Sequence, residues 1–175
     1  MATKKKILIV DGYNVLRSGT YYQEARERMP DFGSEAFNAA REALLNDVAV
    51  FAGHDYQALI VFDGAGNRFS AGEPTHVGDI ELVFSPAGVM ADSIIEERAK
   101  QAAARGLDVL VVTSDATTQW TVVGGRVSRM SANGFYDELR QLAQESAPEA
   151  QVARKFTLGD RLDPKKLQQL RERFG

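Results

Sequence analysis

The strongest constraint on the fold of this chain is a short run without a polar residue, Ile7-Leu8-Ile9-Val10, which stops at Asp11-Gly12. Four consecutive apolar residues, three of them β-branched, suit a strand covered on both faces. Such a strand needs layers above and below it, which points to an α/β chain. The pattern recurs: Ala58-Leu59-Ile60-Val61-Phe62 stops at Asp63-Gly64, and Val109-Leu110-Val111-Val112 is followed by Thr113-Ser114-Asp115. Open α/β sheets bind ligands beyond the carboxyl ends of their strands, so each of these aspartates falls where a site is expected.

Reading outward from these runs, strands are expected at 6–10, 58–62, 80–84 and 108–113. In the third, Glu81 points away from the face that carries Ile80 and Leu82. After the first strand, Gly19, Pro30 and Gly33 suggest a long loop. Ser34 is placed to cap a helix to residue 52. The glycine-rich stretch 64–78 reads as loop, and Ser93 with Glu96 has capping-box spacing for a helix at 92–105. A short helix is expected around Gln119-Trp120, another at 131–145, and a last basic one from Pro164. Alternating strands and helices predict a three-layer α/β/α sandwich with a mostly parallel central sheet. Residues 1–150 read as one domain and 151–175 as a basic tail with a short helix.

Composition narrows the chemistry. At 175 residues, with 44% apolar and 26% charged residues, the chain is an ordinary globular domain. It lacks the ~18-residue apolar run of a membrane span, and no signal peptide is expected, so the cytoplasm is the default compartment and no membrane partner is expected. Without cysteine, any metal must be held by oxygen or imidazole. Residues 1–150 carry 14 Lys and Arg against 21 Asp and Glu, whereas 151–175 carry 7 against 3. An acidic body with a basic tail suits a metal-dependent enzyme acting on a polyanion, and equally a solvated C-terminal helix.

Asp92 opens a helix, and helices that follow parallel strands begin on the same edge where the strands end. Asp11, Asp63, Asp92 and Asp115 are therefore expected to meet in one crevice. An aspartate after a strand is often only a turn former or helix cap, but four together repel strongly, and a hard divalent cation relieves that repulsion. Other chemistries lack their signatures: the phosphate loop, the dinucleotide fingerprint and the nucleophile elbow are missing. His54 and His76 lie in turn-rich polar surroundings and read as surface residues, and Trp120 reads as core. Arg126 and Arg129 follow Gly124-Gly125 and are expected near the active edge.

Taken together, Val10-Asp11-Gly12-Tyr13-Asn14, Val61-Phe62-Asp63, Glu81-Leu82-Val83-Phe84, Ala91-Asp92 with Glu96, and Thr113-Ser114-Asp115 with Gln119-Trp120 resemble the YacP-like branch of the NYN domains, in the PIN-like nuclease superfamily. The resemblance spans about residues 6–145. It implies a PIN-like sandwich and a metal-dependent endoribonuclease, and a characterised member acts on messenger RNA in the ribosomal A site. By motif, Asp11, Asp63, Asp92 and Asp115 are the implied catalytic residues. Asp11, Asp92 and Asp115 would hold one or two Mg²⁺ or Mn²⁺ ions, Asn14 would support them, and Gln119 would lie at the rim. The expected partners are RNA, messenger RNA foremost, and the ribosome, with Arg126, Arg129, Lys165 and Lys166 as RNA contacts. Ala116-Thr117-Thr118 departs from the many NYN and PIN domains that carry a further acidic residue there. The alternative is a non-catalytic RNA- or ribosome-binding module with a degenerate acidic site.

Overall fold

The structure, a computed structural model, describes residues 6–18, 35–64, 72–116 and 125–146. Six strands form one sheet: β1 (Lys6–Asp11), β2 (Tyr56–Phe62), β3 (Thr75–Val77), β4 (Ile80–Phe84), β5 (Val109–Val112) and β6 (Val127–Met130). Their spatial order is β3-β4-β2-β1-β5-β6. Every pairing is parallel except β3 with β4, which run antiparallel. Among the described residues, four helices accompany them: α1 (Gly12–Ser18), α2 (Glu35–Ala52), α3 (Ala91–Ala104) and α4 (Ala132–Glu145).

The two faces of the central strands are both buried, as their unbroken apolar runs require. Leu8 and Val10 of β1 share a core with Val15, Leu44, Val48 and Phe135 from α1, α2 and α4. Ile9, Leu59, Val61 and Val111 pack on the other face against Ile95 and Ala99 of α3. Three helices thus lie on one face and one on the other, giving the expected α/β/α sandwich. Glu81 does turn away from Ile80 and Leu82, and Arg98 of α3 reaches it with Nη2 2.8 Å from Oε1.

Local details differ from the sequence reading. Gly12 opens α1 directly, where a loop was expected, because Val15 and Leu16 find buried positions one turn on. Two strands, β3 and β6, were missed: both are short edge strands, and β6 shows only Val127 buried, so neither has the apolar run that marks a central strand. Helix α3 begins at Ala91 with Met90 as its N-cap and no side-chain cap, so the Ser93–Glu96 capping box does not form. Ser131, in contrast, caps α4, its hydroxyl accepting from the Gly134 amide at 3.0 Å. Gln119, Trp120, Lys165, Lys166 and the basic tail lie outside the described residues.

Candidate active site at the carboxyl edge of the sheet

Parallel pairing sends β1, β2, β4, β5 and β6 to finish on one edge, and the four predicted aspartates gather there. Asp11 is the last residue of β1 and is buried, 8% exposed. It is also the residue before α1, and the Asn14 amide hydrogen-bonds to its carboxylate, so Asp11 does serve as a helix cap. Capping does not account for its burial among other carboxylates. Burial, then the charges of Asp92 and Asp115, raise its pKa to about 6, against the pull of the Asn14 and Thr113 hydrogen bonds. Asp92, in the first turn of α3, is raised by burial and by Asp115 and Asp63. The four groups therefore feel one another across one crevice.

The loop after β5 is held from both sides. The Thr113 hydroxyl donates to Asp11 Oδ2 at 3.3 Å and accepts from the Asp115 amide at 3.2 Å. Asn14 Oδ1 accepts from the Ser114 amide at 2.7 Å, and Ser114 Oγ accepts from the Ala132 amide at 3.1 Å, the first residue of α4. Asn14 thus ties α1 to the Asp115 loop. On the other flank, fully buried Ser85 takes the Gly64 amide on Oγ at 2.9 Å and donates to Asp63 Oδ1 at 3.4 Å.

Thr113 and Ser85 were given no role from sequence. Both directly follow the apolar run of a strand, and that position next to a carboxylate-bearing edge was the available signal. Gly12 has a further steric role. A Cβ there would lie 2.4 Å from Phe62 Cε1, so the Phe62 ring packs flush against the backbone that carries Asp11.

The arginines divide. Arg129 Nη1 donates to the Thr113 carbonyl at 3.0 Å, which keeps it at the carboxyl edge. Arg126 is at the opposite edge: its carbonyl accepts from the Val109 amide at the start of β5, and its guanidinium pairs with Asp108 at 3.1 Å. The expectation that Arg126 lies near the active edge is corrected. It precedes a strand parallel to β5, so it falls at the amino end.

Among the described residues, no group of three or more His, Cys, Asp or Glu is placed to hold a metal ion as it stands. The expected trio Asp11, Asp92 and Asp115 is therefore grouped by its fields but not closed into a ready cage. Mutual repulsion opposes closer approach of like charges. The donor chemistry still fits a hard cation: every acidic side chain is an oxygen ligand, and a cation would offset the desolvation and repulsion that raise Asp11 and Asp92.

A family model of the YacP-like NYN domain matches residues 8–174. The chain belongs to the YacP-like NYN domain family. This membership supports a nuclease-type function related to RNA. Among curated relatives, the uncharacterized protein YacP of Bacillus subtilis (strain 168) is 28% identical over 137 residues, 78% of this chain and 76% of that protein. The crystal structure of a mutant of Rae1 (YacP) from Bacillus subtilis superposes with TM-score 0.60 at 21% identity, covering 96% of this chain and 99% of that one. A second Rae1 (YacP) crystal structure gives TM-score 0.56 at 24% identity over 80% and 76%. These likenesses confirm a YacP-type fold for this NYN domain.

Proposed function

We propose that this chain is a divalent-metal-dependent endoribonuclease that hydrolyses RNA phosphodiester bonds, with messenger RNA on the ribosome as its substrate and the cytoplasm as its compartment. The observation that carries the reading is the electrostatic convergence of Asp11, Asp63, Asp92 and Asp115 at one edge of the sheet. The Rae1 (YacP) fold and the family's nuclease character support it. No helix among the described residues is long and apolar enough to cross a membrane.

Asp11, Asp92 and Asp115 would hold Mg²⁺ or Mn²⁺, with Asp63 joining directly or through water. Such an ion lowers the pKa of water and neutralises charge developing on the phosphate and leaving oxygen. The chain's own residues do the rest. Thr113 fixes the Asp11 carboxylate and the Asp115 backbone together. Asn14 and Ser114 hold the loop that bears Asp115, and Ser85 steadies Asp63. In-line attack on the phosphorus would leave a 5′-phosphate and a 3′-hydroxyl, with no need for a histidine base. Indeed, His54 and His76 are both exposed.

The test is cleavage of RNA with Mn²⁺ by the wild type, Asp11→Asn and Asp92→Asn. Loss of cleavage in both variants is expected, and equal cleavage by all three would sink the assignment. The second reading, a binding module without catalysis, draws on the lack of a ready-made metal group among the described residues. Calorimetric titration with Mn²⁺ separates them, since a catalytic site binds the ion through these aspartates and a degenerate one does not.

A further inference from the structure

One group beside the acidic edge has no part in the scheme above. Helix α1 turns two different sides to its neighbours. Asn14 faces the β5 loop through Ser114. Tyr13 instead packs on Phe62, the last residue of β2, with ring centroids 5.0 Å apart, and Asp63 follows Phe62 directly. Two guanidinium groups lie over the Tyr13 ring, Arg41 at 5.4 Å and Arg17 at 5.6 Å from its centroid. Arg41, half-buried on α2, donates Nη2 to the Tyr13 hydroxyl and also lies over Phe62. Arg17 is exposed, one turn along α1 from Tyr13.

Stacking on an aromatic face is attractive to a cation within about 6 Å. The guanidinium carries five donors around its rim. An arginine held over a ring is already restrained, and it loses less side-chain entropy when it grips a phosphate. Arg41 spends one donor in holding the tyrosine. Arg17 is the exposed member of the pair, on the Asp63 side of the cluster, while Arg129 marks the Thr113 side. A polyanion crossing a carboxylate-lined edge needs cations on its flanks, more so in a chain with net charge -3.

We propose that Arg17, oriented by Tyr13 and Arg41, binds a backbone phosphate of the RNA strand on the Asp63 side of the scissile bond. The proposal rests on the endoribonuclease reading and adds to it a direction for the strand, across the sheet edge between Arg129 and Arg17.

The experiment measures binding of a short, unstructured, fluorescein-labelled RNA to the full chain by anisotropy. Ca²⁺ replaces Mg²⁺, and a series of salt concentrations is used. Wild type, Arg17→Ala and Arg17→Lys are compared, with thermal denaturation of each. For Arg17→Ala we expect about tenfold weaker binding and a salt slope shallower by about 0.7, the loss of one phosphate contact to a single strand. Arg17→Lys should keep the slope but recover only part of the affinity, because it restores the charge without the fork. If wild type binds RNA and Arg17→Ala matches it in affinity and slope, the phosphate contact is overturned while the endoribonuclease reading survives. The same holds if Arg17→Ala lowers only the melting temperature, which marks a structural arginine. If wild type itself does not bind this RNA, the Arg17 contact is overturned, while the endoribonuclease reading is decided by the cleavage test with Mn²⁺.

Discussion

The hydroxyl of Thr113 lies 3.3 Å from Oδ2 of Asp11, joining residues 102 positions apart in the chain. Through the same oxygen Thr113 accepts the Asp115 amide at 3.2 Å, so one small side chain sets the spacing of two carboxylate-bearing segments. Thr113→Val keeps the shape and removes the hydroxyl. It should cost about 1 kcal/mol of stability, the usual net value of a hydrogen bond. It should also lower RNA cleavage about tenfold, as loss of a support behind a metal-binding carboxylate commonly does. Urea unfolding and single-turnover cleavage, run on the same preparation, check both.

Burial and neighbouring carboxylates raise the pKa of Asp11 from the model-peptide 3.8 to about 6. The folded state thus holds this proton more tightly than the unfolded chain does. Below about pH 4 both states are protonated at Asp11 and there is no penalty. As pH climbs from about 4 to about 6 the unfolded chain ionises first, and the folded state loses stability relative to it. Asp11→Asn removes that penalty. The variant should therefore gain stability over wild type across this window, reaching on the order of 3 kcal/mol and levelling off above pH 6, even as cleavage is lost. Chemical denaturation at several pH values, without divalent metal, gives the curve. A difference independent of pH would contradict it.

Gly12→Ala should be among the most damaging single-methyl changes in the chain. The added carbon would lie 2.4 Å and 2.5 Å from two atoms of the Phe62 ring. That ring is fully buried and packed against Tyr13 and Phe84, so it has little room to yield. Overpacking of this kind costs roughly 1–3 kcal/mol, and the strain falls on the peptide next to Asp11. Melting temperature and cleavage should both drop. A Phe62→Leu background, which opens space at the ring, should return part of the stability lost to Gly12→Ala.

The Glu81–Arg98 pair provides the contrast. It joins β4 to α3 at 2.8 Å, with the two side chains 20% and 39% exposed. Solvent screens such a pair, and a coupling energy under about 1 kcal/mol is expected from a double-mutant cycle of Glu81→Gln and Arg98→Gln. Cleavage by either variant should remain near wild type, because neither residue belongs to the acidic edge.

Much of this architecture was legible because central parallel strands have a simple signature. Ile7 to Val10 and Ala58 to Phe62 are apolar throughout since both their faces are covered, and the aspartates that end them had to share an edge. What escaped the sequence were features without such a run. Strand β6 has two consecutive exposed residues, Ser128 and Arg129, and lies at the sheet border, and β3 is three residues long. Helix α1 was hidden because it starts on a glycine. Arg126 was misplaced because β6 was not recognised, and the direction of an unrecognised strand cannot assign its flanks to an edge. Thr113 and Ser85 were visible as residues, but their bonds to Asp11 and Asp63 join separate elements and follow only from the sheet order.

The hydrogen bonds that lead from Asn14 to Ser114 and on to Ala132 have a consequence for the chain as it is being made. Synthesis delivers Asp11, Asp63 and Asp92 in turn, yet the Asp115 loop gains its last anchor only when the start of α4 has emerged. A chain made only up to that point carries all four aspartates, with the Asp115 loop held through Thr113 and Asn14 but not yet through Ala132. Closure of the acidic edge on this side thus waits for a residue that comes after all four aspartates in the chain.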